Sequence, residues 1–347
     1  MSTFNFSEIE SLKGYSVEWD SKDKLILAKG NNLYEIEKGD SKEINKIGEF
    51  PLPSWKKFLI RFLTFQRLLR GFFYNVVVLK NNDIFVTFGK SLGVIKQNGE
   101  FIHLEGMDRP FRVLRNAIAE DLDGSLYFGE YSSNTSRDIM RIYKYCPGDS
   151  SIKIVYTFKK GEIRHIHGVY FDKYSNSIWC VTGDVGSECK FIQTFDGFKT
   201  ISVIGSGDET WRAVSLLFSE DNIFYAMDAE FQENKIFLLS RQDMNRIEIG
   251  KMDGPVYYSV KREGGYFFQV TAELCPSQKD KNASIWHSNG KQLNKIWFKE
   301  KDKYPKFMMP GTVNFPNGVG NSNEIYFHCV GVSGCSSKTF KLSINSG

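Results

Sequence analysis

The chain has 347 residues, of which 41% are hydrophobic and 15% aromatic, including 29 Phe and 16 Tyr. That length can bury a large core, and the aromatic surplus favours strands over helices. The formal net charge is only +4. Outside one cluster the basic residues alternate with acids and no recognised binding motif occurs, so a nucleic-acid partner is excluded.

The first residues, MSTFNFSEIE, contain no basic n-region and no apolar h-region. No secretory signal is read there, and the expected location is the cytoplasm. In a reducing compartment the six cysteines, which show no CxxC pair or metal-ligand spacing, are expected as plain core residues. A Cys329–Cys335 disulfide is the open alternative, and the sequons at Asn5, Asn134 and Asn282 carry no weight without secretion. Within this segment TFNFSEI reads as a spare strand.

Strand-rich units then open near Tyr15, Tyr74, Asn116, His167, Arg212, Tyr257 and Asn317. The last ends after three strands. This predicts an all-β propeller of four-stranded blades spanning 1–347 as a single domain, with the N-terminal strand completing the final blade and removing a free edge. Seven blades are counted, and six with an irregular first unit is the alternative.

One segment breaks the pattern. PLPSWKKFLIRFLTFQRLLRGFF offers Ser54 as N-cap and Gly71 as a stop, which predicts one inserted amphipathic helix over 54–70. Trp55, Phe58, Phe62, Phe65 and Leu69 share one face, and Lys56, Lys57, Arg61, Arg67 and Arg70 occupy much of the rest. Without those five basic residues the chain would carry −1, so its positive charge is concentrated here. The helix is too short and too polar to span a bilayer. It is expected either to pack its aromatic face on its own propeller, or to attach the chain peripherally to an anionic membrane or a protein partner.

Further along, four apolar runs each end in an acid: Glu130, Asp184, Asp228 and Glu273, spaced 54, 44 and 45 residues apart. Equivalent loops of a propeller meet around its axis. The acids are therefore expected at one mouth of the channel, where like charges perturb one another's pKa values. Aligning the inner strands places Asn75, Asn116, His167, Arg212, Tyr257 and Asn317 near their starts, facing that mouth. His165 and His167 project to one side of an extended strand, as an HxH pair able to bind a metal or transfer protons. Tyr131 follows Glu130 in the run GEYSSN.

The stretch FIQTFDGFKTI, residues 191–201, is similar to an Asp-box: Thr194 and Asp196 match its pattern, while Phe198 and Ile201 do not. Together with GEYSSN, RHIHGVYFD, TGDVGSE and GDETWRAV it resembles Asp-box (BNR-type) propellers of the sialidase-like kind, among them proteins linked to glycan biosynthesis and processing. The resemblance covers roughly half the chain. It implies a carbohydrate context, with Arg115, Arg164 and Arg212 as a carboxylate clamp and Tyr257 in the adjacent blade; the family's first arginine has no equivalent here.

Glycoside cleavage needs one protonated and one ionised carboxyl group. The leading expectation is therefore an enzyme, hydrolase or lyase, that cleaves an acidic or amino-sugar glycan. Its acids and bases are Glu130, Asp184, His165, His167, Asp228 and Glu273, and its binding residues are Arg115, Asn116, Tyr131, Arg164, Arg212, Tyr257 and Asn317. Two alternatives are a membrane-attached glycan-binding scaffold and a calcium-dependent lactonase or esterase using Asn75, Asn116, Asn317, Asp228 and Glu273. No cofactor is evident beyond such a divalent cation. GSGDET, at 205–210, is followed by a strand pattern and its acids would repel phosphate, so it is not read as a nucleotide loop.

Overall fold

The alternating aromatic runs pair into seven four-stranded antiparallel sheets, arranged as the blades of one propeller. The structure is a computed structural model and describes residues 3–39 and 43–345. The inner strands are Ser16–Asp20, Phe73–Val78, Ile118–Glu120, Ile166–Asp172, Ala213–Phe218, Val256–Arg262 and Thr312–Asn314, which we number as blades 1 to 7. Blade 7 is completed by Thr3–Glu8, whose register on Thr339–Asn345 runs from Thr3↔Asn345 to Glu8↔Phe340. The first strand thus covers the edge of the last, as the spare N-terminal segment predicted, and the count is seven.

The core lies between blades. Each of seven buried clusters bridges two neighbours: Val77 and Phe85 of blade 2 meet Phe128 and Tyr143 of blade 3, and Leu12, Val17 and Leu27 meet Tyr326 across the closure. Fully burying one such phenylalanine stabilises by about 1.5–3 kcal/mol, so packing between neighbouring blades contributes heavily to holding the ring together.

The insertion departs from expectation. It forms two short helices, Ser54–Leu59 and Leu63–Leu68, because the chain turns extended at Phe62 (φ −95°, ψ 125°). The residues that anchor it are Ile60, buried in the core between blades 1 and 2, and Arg67, which binds Asp302 at 2.5 Å and Ser336 Oγ at 2.9 Å. Its aromatic face points outward instead of onto the propeller: Trp55 is 60% and Phe58 56% exposed, with Phe62 and Phe65 also exposed. No helix among the described residues is long and apolar enough to cross a membrane.

The sequence around Thr194 forms a turn between two outer strands of blade 4, Lys190–Thr194 and Ser202–Ser206. Thr194 Oγ1 accepts from the Phe198 amide at 3.0 Å, and Asp196 Oδ1 accepts from Thr200 at 2.9 Å. Among the described residues all six cysteines are free thiols.

Candidate active site

Inner-strand starts and the loops after second strands converge at one end of the channel around a cavity of about 480 Å³. Irregular ladder registers shape it. In blade 4 the pairing jumps from Ile166↔Thr182 to Gly168↔Val181, and in blade 6 from Val256↔Val270 to Tyr258↔Gln269. The skipped residues are His167 and Tyr257, and both side chains line the cavity. A bulge of this kind frees a residue from the ladder and re-aims it. Asp184 follows Gly183 (φ 96°), where an added Cβ would lie 2.2 Å from the Glu188 backbone, so only glycine carries the turn that delivers Asp184.

Asp184 is the hub. Its Oδ2 receives Arg164 Nη1 at 2.8 Å, and its Oδ1 lies 3.1 Å from His165 Nε2, 3.3 Å from His167 Nε2 and 3.4 Å from Arg212 Nη2. Burial acts to raise its pKa, but His165 and His167, where they carry a proton on Nε2, outweigh that and hold the carboxyl well below the usual range. Each imidazole is fixed from behind: His165 Nδ1 donates to Ser132 O and His167 Nδ1 to Ala213 O, both at 2.9 Å. Tyr131 lies over His165 with ring centroids 4.3 Å apart.

Asp228 has the opposite environment. Burial pushes its pKa well up, with Glu273 and Asp184 adding like-charge repulsion against the pull of Arg212, whose Nη2 is 3.5 Å away. Glu273 is also raised, by burial first; it accepts a hydrogen bond from Tyr257, and Glu230 stands close by as a like charge. The site thus sets a carboxyl whose pKa is lowered beside one whose pKa is raised.

Several expected members lie elsewhere. Glu130 is fully buried away from the cavity, bound by Arg109 at 2.6 Å and Tyr143 at 3.0 Å; its neighbour Tyr131 takes the inward position instead. Arg115 is buried against Glu18 at 2.5 Å and Phe73 O at 2.7 Å, which breaks up the three-arginine clamp. The asparagines do not form a calcium ring either. Asn75, Asn116 and Asn317 donate to Leu114 O, Phe315 O and Val76 O respectively, so their amides knit the inner strands together.

The sequence reading missed Lys90, Arg112 and Glu230, which all line the cavity. Glu230 had a signal, being two residues beyond Asp228 and so on the same side of an extended segment. Arg112 had none, since it enters through a bridge to Tyr131 that brings together distant parts of the chain.

The insertion borders this end of the molecule. Arg70 donates to Phe307 O at 3.1 Å, and Lys306 of the same loop lies 3.9 Å from the cavity residue Glu230. Lys57 pairs with Glu49, while Arg61 is exposed and Lys56 half-buried.

No family model matches the chain, and no curated protein matches it in sequence. Its fold is similar to that of solved propellers. Virginiamycin B lyase from Staphylococcus aureus superposes with a TM-score of 0.61 at 12% identity, covering 99% of both chains. A streptogramin B lyase gives 0.59 at 14% identity, covering 99% of this chain and 98% of the other. The AfRom2 CNH domain gives 0.59 at 8% identity over 99% of this chain and all of that one. At these identities the likeness establishes the seven-bladed propeller, and no sialidase or Asp-box kinship emerges.

Proposed function

We propose that the chain is an enzyme, hydrolase or lyase, that cleaves an acidic or amino-sugar glycan at this mouth. The observation that carries the reading is that Asp184 and Asp228 share Arg212 Nη2 from opposite surroundings, the first against two imidazoles and Arg164 and the second buried beside Glu273. Asp228 donates a proton to the leaving oxygen, while Asp184 and its two imidazoles form the basic side. Lys90, Arg112 and Arg164 enter from blades 2 to 4 and Asp228, Glu230 and Glu273 from blades 5 and 6, so a sugar with an anionic and a cationic or hydroxyl-rich end has a partner for each. The lyases of similar fold are compatible with bond breaking here and say nothing of the substrate.

The test is incubation with oligosaccharides bearing uronates or amino sugars. Elimination is read from the ultraviolet absorbance of an unsaturated product and hydrolysis from new reducing ends. Cleavage that disappears in Asp228→Asn supports the reading; binding of sugar without turnover makes the chain a capture module.

We further propose that the exposed Trp55, Phe58, Phe62 and Phe65, with Lys56 and Arg61 interleaved among them in the insertion, attach the chain to an anionic membrane surface. Aromatic rings flanked by lysine and arginine suit the interface of such a bilayer. Attachment by this patch would hold the cavity mouth beside the membrane.

A further inference from the structure

The three acceptors at the heart of the site do not satisfy one another. Both imidazoles donate through Nδ1, because each Nδ1 faces a backbone carbonyl, which can only accept. A neutral ring with its proton on Nδ1 presents a bare lone pair at Nε2. His165 Nε2 and His167 Nε2 lie 3.1 Å apart, and Asp184 Oδ1 lies 3.1 and 3.3 Å from them. Three lone-pair donors therefore converge on one point. A proton added to one imidazole satisfies one or two of these contacts and leaves the remaining pair of acceptors face to face. Protonating both rings sets two N–H groups against each other across 3.1 Å.

A metal ion satisfies all three at once. Ligand atoms held about 2.1 Å from a cation are separated by about 3.0 Å in octahedral and about 3.4 Å in tetrahedral coordination, and the observed separations fall between. The surroundings are those of a metal centre too. Each candidate ligand histidine is oriented by a carbonyl behind it, and the carboxylate's other oxygen is fixed by Arg164. All three residues are buried at the edge of the cavity, which leaves further coordination positions open to a substrate or water.

We propose that His165, His167 and Asp184 bind one divalent transition-metal ion, with Zn²⁺, Co²⁺, Mn²⁺ or Fe²⁺ as the matching class. Two nitrogens and one oxygen suit these ions better than calcium, which takes oxygen ligands only. The ion lies in the same site as the proposed reaction, but metal loading is measured without turnover, so the two proposals fail separately.

The experiment is a titration of the chelator-stripped full chain with Co²⁺, followed by visible absorption, and with Zn²⁺ in competition with a chromophoric chelator. Saturation at one ion per chain is expected, with affinity falling at least tenfold in His165→Gln and in Asp184→Asn. Circular dichroism checks that the variants are folded. As a readout that needs no variant, proton NMR of the Co²⁺-loaded chain should show a shifted exchangeable N–H for each histidine, from the two Nδ1 positions. No saturable binding by the wild type, equal affinity in folded variants, or absence of those signals would overturn the proposal.

Discussion

Asp184 and Asp228 meet the same guanidinium nitrogen, Arg212 Nη2, at 3.4 and 3.5 Å, and are driven in opposite directions from there. Imidazoles protonated at Nε2 favour the charge on Asp184, while burial beside Glu273 disfavours the charge on Asp228. That asymmetry makes the mouth of the channel more than a ring of acids.

The acid in this pair must be protonated to act. Turnover should therefore fall as pH rises through the raised pKa of Asp228, and Asp228→Asn should lose about 10²–10⁴-fold in kcat. A pH–rate profile of the wild type, with the variant at its optimum, checks both.

Stability carries the same sign. A buried acid with a raised pKa binds its proton more tightly in the folded than in the unfolded chain, so its contribution is lost as pH rises from the ordinary carboxylate range through the folded pKa. Asp228→Asn removes that penalty. It should melt above the wild type at pH 8, with the difference closing near pH 4, as thermal unfolding across pH would record. Asp184 works the other way: its depressed pKa gives stability that is present above the ordinary range and lost only on acidification.

Glu130 should behave as a structural acid. Replacing it by Gln removes the charged partner of part-exposed Arg109 and should destabilise by about 1.5–3 kcal/mol. Turnover per folded molecule should stay within about twofold, which active-site titration alongside a denaturant curve would measure.

The outward aromatic face has its own test. Phe58→Asp with Phe62→Asp should abolish co-flotation with phosphatidylserine-containing vesicles while leaving the melting temperature unchanged, because neither ring is buried. Retained flotation would remove the membrane from the account. Unchanged self-association in both proteins would separate it from a dimer interface.

Much of the fold was legible because a propeller writes its period into the sequence. The acids at 184, 228 and 273 recur every 44 or 45 residues, and the unmatched strand at the N-terminus announced the closure. What failed was parity. Aligning by residue type put Glu130 with the other acids, but a side chain one position away on an extended segment points to the opposite side, and there Tyr131 faces the cavity. The helix break was hidden for another reason: helical spacing marks which residues share a face, and cannot say that Ile60 and Arg67, off that face, are the ones the propeller buries.

The most direct measurement is single-turnover cleavage of the acidic and amino-sugar panel by wild type, Asp184→Asn and Asp228→Asn, each shown to be folded and to bind sugar. The account predicts cleavage by the wild type and loss of at least about 10²-fold in both variants with binding retained. Wild-type binding without cleavage, or cleavage that survives either substitution, would contradict it.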